Sequence, residues 1–388
     1  MRGENKEIKV LIAAGASAGH LYPAIAFAQK LVQLNPRATV AFASSRRGQV
    51  EEWIKEAGFE PFFISLRALS PGVFNVLRFL YSLCKSFLEA FLIIEKFRPD
   101  AVVGFGSYVS LPLVLEASVF KRITLIHEQN FSLGRANQFL SLFADRIALS
   151  FRQSPLLNRK YVFTGNPLRR DLIKAGKKIA FGDNLFGDFR SAPYTFLSAK
   201  KEAADFFGLA EDKFTVLTVG GSQGSKRINR EFKEAVFSLS GREDFQFIHI
   251  CGKYDYSLLK KEYSCIRIRH CLFEFLSRMD LAYSLADLVV CRAGAGTISE
   301  LAYFNKAAIL IPYPYAGSHQ LENALALRQV NAALVIEEKD LTAKALAENI
   351  SGFIRSKDRR EALERNIQSF AVPDADEKLA EELLGLMG

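Results

Sequence analysis

The stretch Cys291–Glu300, CRAGAGTISE, decides the fold class. Before it, Leu288-Val289-Val290 is a short apolar run with the character of a buried strand. Then come Arg292, two glycines two residues apart (Gly294, Gly296), Thr297 and Ser299, and a helix-period stretch from Ile298 to Phe304. Strand, glycine turn and helix start form the geometry in which backbone N–H groups converge on an anion and glycine lets it come close. Glu300 is read as a first-turn acid suited to the helix dipole, or as a side chain able to reach ribose hydroxyls. A glycine-capped turn that binds nothing fits the same letters, since Gly-x-Gly is weak evidence by itself.

The same arrangement recurs in both directions from this stretch. Downstream, Ala308 to Ile311 reads as a strand, Pro312 to Gln320 as a loop and Glu322 to Val330 as a helix. Upstream, Phe214 to Val219 enters GGSQGS (220–225), with a helix from Asn229 to Ser238 and a strand from Phe245 to Ile250. In the first half, Ile8 to Ala14 ends at GASAGH (15–20), and a helix is expected from about Pro23 to Leu34 with Pro23 in its first turn. Strands follow at 39–44, 100–103, 123–126, 147–151 and 162–164, and a helix at 49–57. The expectation is an α/β chain of two Rossmann-like domains, their parallel sheets facing across a cleft, in the GT-B layout of glycosyltransferases and sugar-nucleotide epimerases. The domains expected are 1–168 and 212–370. Between them lies a linker with an inserted loop at 169–211, and a C-terminal helix at 371–388 is expected to pack back on the first domain.

Composition agrees with a globular protein of 388 residues, 49% hydrophobic and 24% charged. A net charge of +9 and a pI near 9.2 favour anionic partners. Nucleic acid is disfavoured, because no strip of alternating basic and aromatic residues is present. Five cysteines form no CxxC pair and read as reduced, mostly buried thiols of a cytoplasmic protein. The polar N-terminus leads straight into a strand and does not read as a signal peptide.

Strand ends carry the other candidates. His20 closes the first loop, either hydrogen-bonding it or standing ready to accept a proton. Gly104-Phe105-Gly106-Ser107-Tyr108 is a third glycine turn. His127-Glu128-Gln129-Asn130 ends another strand, as an acid–base pair or as a polar rim. Residues 62–97 form the most apolar stretch, yet no run reaches the ~20 residues that span a bilayer. Arg78, Ser82, Lys85 and Glu89 make one polar stripe on the expected helix. The remainder is either a fully buried helix or a lipid-resting surface around Arg67, Leu69, Val73, Phe74, Leu77 and Arg78.

Six motifs in order resemble the MurG family of peptidoglycan N-acetylglucosaminyltransferases across nearly the whole chain. They are GASAGH (15–20), GFGSYVSLP (104–112), HEQN (127–130), GNPLR (165–169), GGSQGS (220–225), and RAGAGTISE (292–300) with HQLENA (319–324). The resemblance implies transfer of GlcNAc from UDP-GlcNAc to the C4 hydroxyl of undecaprenyl-pyrophosphoryl-MurNAc-pentapeptide, with inversion. It implies a peripheral enzyme on the cytoplasmic face of the membrane, at an anionic lipid surface, serving cell wall growth, cell shape and division. Cofactor and metal are not implied, since no carboxylate pair of DxD type stands where a diphosphate-bound ion would need it.

Carried over residue by residue, the donor site falls on Ser17, Ala18, Gly19, Asn130, Arg169, Ser222, Leu276, Ala295, Gly296, Thr297, Ile298, Ser299, Glu300, His319 and Gln320. Leu276 would pack on uracil, Glu300 would take the ribose hydroxyls, and Asn130, His319 and Gln320 would read the sugar. Gly15, Gly104, Gly106 and Tyr108 fall on the acceptor side. His20 is the implied base and Glu128 the reserve; membrane contact falls on Phe74, Leu77 and Arg78. Ala16, Ala18 and Ser107 stand where the family usually has glycine, at a cost of about 1 kcal/mol wherever φ is positive. FLSRM around Leu276 lacks the usual acidic residues, and 171–200 is longer than expected. The rivals are a glycolipid synthase, a UDP-GlcNAc 2-epimerase and a non-catalytic nucleotide-binding scaffold at the membrane.

Overall fold

Strand β1, Ile8–Ala14, is buried on both faces and shows how the first unit is built. Val10, Ile12 and Ala14 point into one apolar layer with Leu21, Phe27 and Leu31. Leu11 and Ala13 point into the opposite layer with Ile93, Ile94 and Leu113. A strand covered on both sides reads as a continuous apolar run, which is why this one was legible in sequence. The computed structural model describes residues 6–66, 73–152, 158–173, 193–221, 223–315 and 319–388; the side chains of 73–77, 79–80 and 193–198 lie outside that description.

The first unit comprises 1–169 and 372–388. Its strands are β1, β2 (Ala38–Ser44), β3 (Glu60–Phe63), β4 (Ala101–Phe105), β5 (Ile123–Glu128), β6 (Arg146–Leu149) and β7 (Tyr161–Phe163). They form one parallel sheet in the order β3-β2-β1-β4-β5-β6-β7, with Ile8 opposite Ala38 and Val10 opposite Ala101. The chain reverses direction across the sheet between β1 and β4, and open α/β sheets place ligands at the carboxyl ends of strands flanking such a reversal. The C-terminal helix, Ala375–Met387, packs on the helix Ala18–Leu34 of this unit. Leu379 and Leu383 enter its core, and Lys30 pairs with Glu377 at 2.9 Å.

The second unit, 170–371, repeats the plan. Its strands β8 (Phe214–Val219), β9 (Phe245–Ile250), β10 (His270–Phe273), β11 (Leu288–Cys291), β12 (Ala308–Leu310) and β13 (Leu334–Val335) run in the order β10-β9-β8-β11-β12-β13. Here the reversal falls between β8 and β11. Arg169 belongs with the first unit and Arg170 onward with the second. Its helix Pro193–Phe207 packs on the helix Met279–Leu285.

Helix starts differ from the expectation. The helix after β1 begins at Ala18, so Pro23 lies inside it, buried, rather than in its first turn. Ser17 is the N-cap residue in extended conformation, which starts the helix before the proline is reached. The helix after β11 spans Ala295–Tyr303 with Gly294 as N-cap, which places Glu300 in its second turn. The cysteines also divide differently: Cys251 and Cys291 are buried and Cys271 half-buried, while Cys84 and Cys265 are exposed.

The helix Val73–Phe97 overturns the fully buried reading; of the polar stripe, Arg78 and Lys85 are exposed and Glu89 half-buried, but Ser82 is buried. Its inward side carries Ser82, Ser86, Ala90, Ile93 and Ile94. Large apolar side chains face outward: Tyr81 is 73% exposed, Leu88 60% and Leu92 56%. Small residues let the helix lie close on its neighbours, so the bulky ones are left on the surface. Among the described residues no helix is long and apolar enough to cross a membrane.

Candidate active site

In the first unit the loops after β1, β4 and β5 meet around His20. Its imidazole lies against the backbone: a Cβ on Gly106 would stand 3.2 Å from His20 Cε1, and one on Gly15 3.0 Å from Cδ2. Gly106 also has φ +72. These two glycines therefore make room for the histidine ring, a function apart from the acceptor contact expected of them. Gly104 is buried inside β4, where a Cβ would press on Val114 and Ser110, so helix–sheet packing by itself calls for glycine there. Tyr108 is partly exposed beside this loop. Neither Ala16 nor Ala18 has positive φ, so both alanines are unstrained, but Ser107 sits at φ +66.

His20 is held by Gln129, with Nδ1 and Oε1 3.0 Å apart. Gln129, 3% exposed, reaches the Phe105 carbonyl (3.2 Å) and His127 Nδ1 (3.3 Å) through its amide nitrogen. His127 is fully buried, and its Nε2 donates to the Gly165 carbonyl at 3.0 Å. Burial pushes the His127 pKa down to about 4, so the ring is neutral at physiological pH.

Glu128 differs from the reserve base expected of it. It is 2% exposed, and four donors surround its carboxylate: the Asn130 backbone N–H and side-chain amide on Oε1, the Gly134 N–H and Asn137 amide on Oε2. All four lone-pair directions are used to shape the loop 129–134. Asn130 is thereby bound to Glu128. Arg169 lies over the Tyr22 ring at 5.2 Å, and Ser17 to Gly19 form the start of the first helix.

In the second unit the loops after β8, β11 and β12 are tied together by Arg292. Its guanidinium donates to Ser225 Oγ (2.7 Å) and to the carbonyls of Ile311 (3.2 Å) and Pro312 (3.4 Å), and it pairs with Glu338. Ile298 N–H, bonded to the Gly294 carbonyl, is the first N–H to bond back to the cap residue; those of Ala295, Gly296 and Thr297 precede it at the helix mouth. A Cβ on Gly296 would meet nothing within 4 Å. Ser299 is inward, its hydroxyl bonded to the Ala295 carbonyl at 3.0 Å, and Ile298 is core, so the outward residues of this turn are Gly296, Thr297 and Glu300. Tyr283, buried and stacked on Phe304, donates its hydroxyl to Glu300 Oε2 at 2.8 Å.

Gln320 accepts from the Tyr313 N–H at 3.0 Å. His319 Nδ1 is buried without a hydrogen-bond partner among the described residues. Leu276 is 6% exposed whereas its neighbour Phe275 is 60% exposed, so the side chain this loop offers outward is Phe275, not Leu276. Ser222 lies outside the described residues, as do 67–72 and the side chains of Phe74 and Leu77; Arg78 is exposed. No group of three or more His, Cys, Asp or Glu able to hold a metal occurs among the described residues. Sequence reasoning gave no role to Gln129, Tyr283 or Arg292. Gln129 and Arg292 stood within quoted motifs, but Tyr283 acts on a residue of another element and left no local signal.

Comparison with known proteins adds to this geometry. Residues 10–149 match the glycosyltransferase family 28 N-terminal domain and residues 215–379 the family 28 C-terminal domain. A protein of Thermodesulfovibrio yellowstonii named UDP-N-acetylglucosamine–N-acetylmuramyl-(pentapeptide) pyrophosphoryl-undecaprenol N-acetylglucosamine transferase is 34% identical over 379 residues, 96% of this chain and 97% of that one. The chain belongs to the MurG family. A Myxococcus xanthus protein of the same name is 33% identical, over 98% of this chain and 93% of its own. MurG of Acinetobacter baumannii superposes with a TM-score of 0.74 at 25% identity, covering 98% of this chain and all of that one. The Neisseria meningitidis UDP-GlcNAc 2-epimerase shares the GT-B fold alone, with a TM-score of 0.65 at 13% identity over 97% of this chain and all of its own.

Proposed function

We propose that this chain transfers GlcNAc from UDP-GlcNAc to the C4 hydroxyl of undecaprenyl-pyrophosphoryl-MurNAc-pentapeptide, turning lipid I into lipid II with inversion at the anomeric carbon. The observation that carries the reading is end-to-end likeness to transferases of that name at 34% identity. The chemistry divides between the units. In the first, His20 takes the proton of the acceptor hydroxyl as its oxygen bonds to C1 of the sugar. In the second, the C1–O bond to UDP breaks, and N–H groups at the mouth of the helix Ala295–Tyr303 meet the charge left on the diphosphate. Glu300, steadied by Tyr283, accepts from the ribose hydroxyls.

The enzyme meets its lipid-linked acceptor at the anionic cytoplasmic surface of the membrane. Support comes from the outward apolar side chains of the helix Val73–Phe97 and its neighbours in the first unit. Phe91 touches Phe120 (ring centroids 6.0 Å apart), and Val119, Phe139, Leu142 and Phe143 are exposed on adjoining segments. Arg78, Lys85, Lys121, Arg122 and Arg135 are exposed among the same segments. Apolar side chains with a basic surround fit a peripheral contact with anionic lipid. Incubating the protein with labelled UDP-GlcNAc and a short-chain lipid I analogue tests the reaction. Disaccharide product is expected; free ManNAc or UDP-ManNAc in its place would overturn the reading in favour of an epimerase.

A further inference from the structure

The contacts around Gln129 determine where the proton sits on each ring. The Gly165 carbonyl can only accept, so His127 Nε2 carries a hydrogen. Ser150 agrees: its hydroxyl donates to the Glu128 carbonyl (2.8 Å) and turns a lone pair toward the same nitrogen (3.4 Å). With Nε2 protonated and the buried ring neutral, His127 Nδ1 is an acceptor and takes a hydrogen from the Gln129 amide. The second amide hydrogen goes to the Phe105 carbonyl. Both hydrogens of the Gln129 nitrogen are thus assigned, the amide has one orientation, and Oε1 faces His20. An amide oxygen only accepts, so His20 Nδ1 must donate. The lone pair of neutral His20 is then on Nε2.

We infer that Gln129, oriented by His127, is a positioning residue that fixes His20 in the tautomer whose Nε2 accepts the proton in glycosyl transfer. This rests on the reading of His20 as the base. The burial of the relay suits that purpose. A carboxylate in place of Gln129 would bring charge among buried groups and stabilise protonated His20 before reaction, whereas a neutral amide fixes orientation and leaves the ring basic. When Nε2 takes the proton, Nδ1–H continues to donate to Oε1, so the relay needs no rearrangement during the step.

Two measurements on the full chain test the inference. The first is the ¹⁵N–¹H spectrum of protein with ring-labelled histidine, in which the His20 signals are picked out from those of the five histidines by their loss in His20→Ala. The neutral His20 signal is expected to be the Nδ1–H tautomer; an Nε2–H tautomer in the parent protein overturns the inference, whether or not a Gln129 variant folds. The second is Gln129→Met, which keeps the side-chain length and removes both donors and the acceptor. It is expected to lower kcat roughly tenfold or more with KM for UDP-GlcNAc unchanged, and to add nothing when combined with His20→Ala. An equal loss in the His20→Ala background overturns the relay, because Gln129 would then act through the fold. A His20→Ala variant that keeps its kcat overturns the base reading itself. That is distinguishable from failure of the relay alone, in which His20→Ala loses kcat and Gln129→Met does not.

Discussion

Acid is expected to loosen the first unit through His127, and the size of the effect follows from its burial. The ring is held neutral with its pKa lowered from 6.5 to about 4 by desolvation, which outweighs the opposing effects of the Gly165 hydrogen bond and the nearby Glu128 charge. A histidine depressed in the folded state binds fewer protons there than in the unfolded chain. Its contribution to stability is therefore complete above pH 6.5 and is lost as the pH falls toward 4. Between pH 7 and pH 5 the loss is about 2 kcal/mol.

The assay uses a convenience of the sequence. The single tryptophan, Trp53, belongs to the first unit and packs on Tyr22 at 5.6 Å, so its fluorescence in urea reports that unit. Parent and His127→Gln should be compared at both pH values, because their difference cancels the other titrating groups. One of those has the opposite sign: Glu116, raised to about 7 by burial, favours the folded state as the pH falls through 7. The parent is expected to lose about 2 kcal/mol more than His127→Gln between pH 7 and 5. Equal losses would mean that His127 titrates near its ordinary value, and the neutral relay to His20 would lose its support.

Ser107→Gly is expected to stabilise the chain by up to about 1 kcal/mol in urea unfolding, since Ser107 sits at φ +66 where glycine is unstrained; a loss would mean the hydroxyl makes a contact worth more than the strain. Glu300→Ala is expected to raise the KM for UDP-GlcNAc strongly and to reduce discrimination against the 2′-deoxy donor, with Tyr283→Phe having a milder effect of about tenfold through the lost bond to Glu300. Unchanged donor kinetics in both would refute the ribose role. Leu88→Ser with Leu92→Ser is expected to weaken sedimentation with anionic vesicles while turnover of a short-chain acceptor is kept; undiminished vesicle binding would place the membrane contact elsewhere.

How much of this was legible follows from burial. Strands covered on both faces, such as β1, β8 and β9, announced themselves as apolar runs. The three strands that went unread, β3, β10 and β13, all lie at sheet edges. There one side is open, and Glu60-Pro61 and His270-Cys271 replace the apolar run. The outer helix Val73–Phe97 misled for the converse reason: Ser82 and Ser86, polar by composition, are buried and allow close packing while Tyr81, Leu88 and Leu92 are exposed, so apolarity did not mark the buried side. The motif residues were found one by one, but their partnerships were not. Gln129 meets His20 across 109 positions and Tyr283 meets Glu300 across 17, and no local spacing encodes either pair.

The glycines illustrate what structure adds to a motif. Sequence treated Gly15, Gly106 and Gly296 alike, as places where a ligand comes close. Gly15 and Gly106 are instead explained within the protein, because any Cβ there would run into His20 or Ser107. Gly296 is not explained that way. Its φ is ordinary and a Cβ would meet nothing within 4 Å, yet glycine weakens a helix by about 1 kcal/mol relative to alanine. Gly19, in the first turn of the other helix that follows a sheet reversal, has the same two properties. Neither backbone conformation nor packing within its unit requires glycine at these two positions. What glycine provides at each is open space in the first turn of a helix, and the proposed diphosphate contact would need that space unfilled by a side chain.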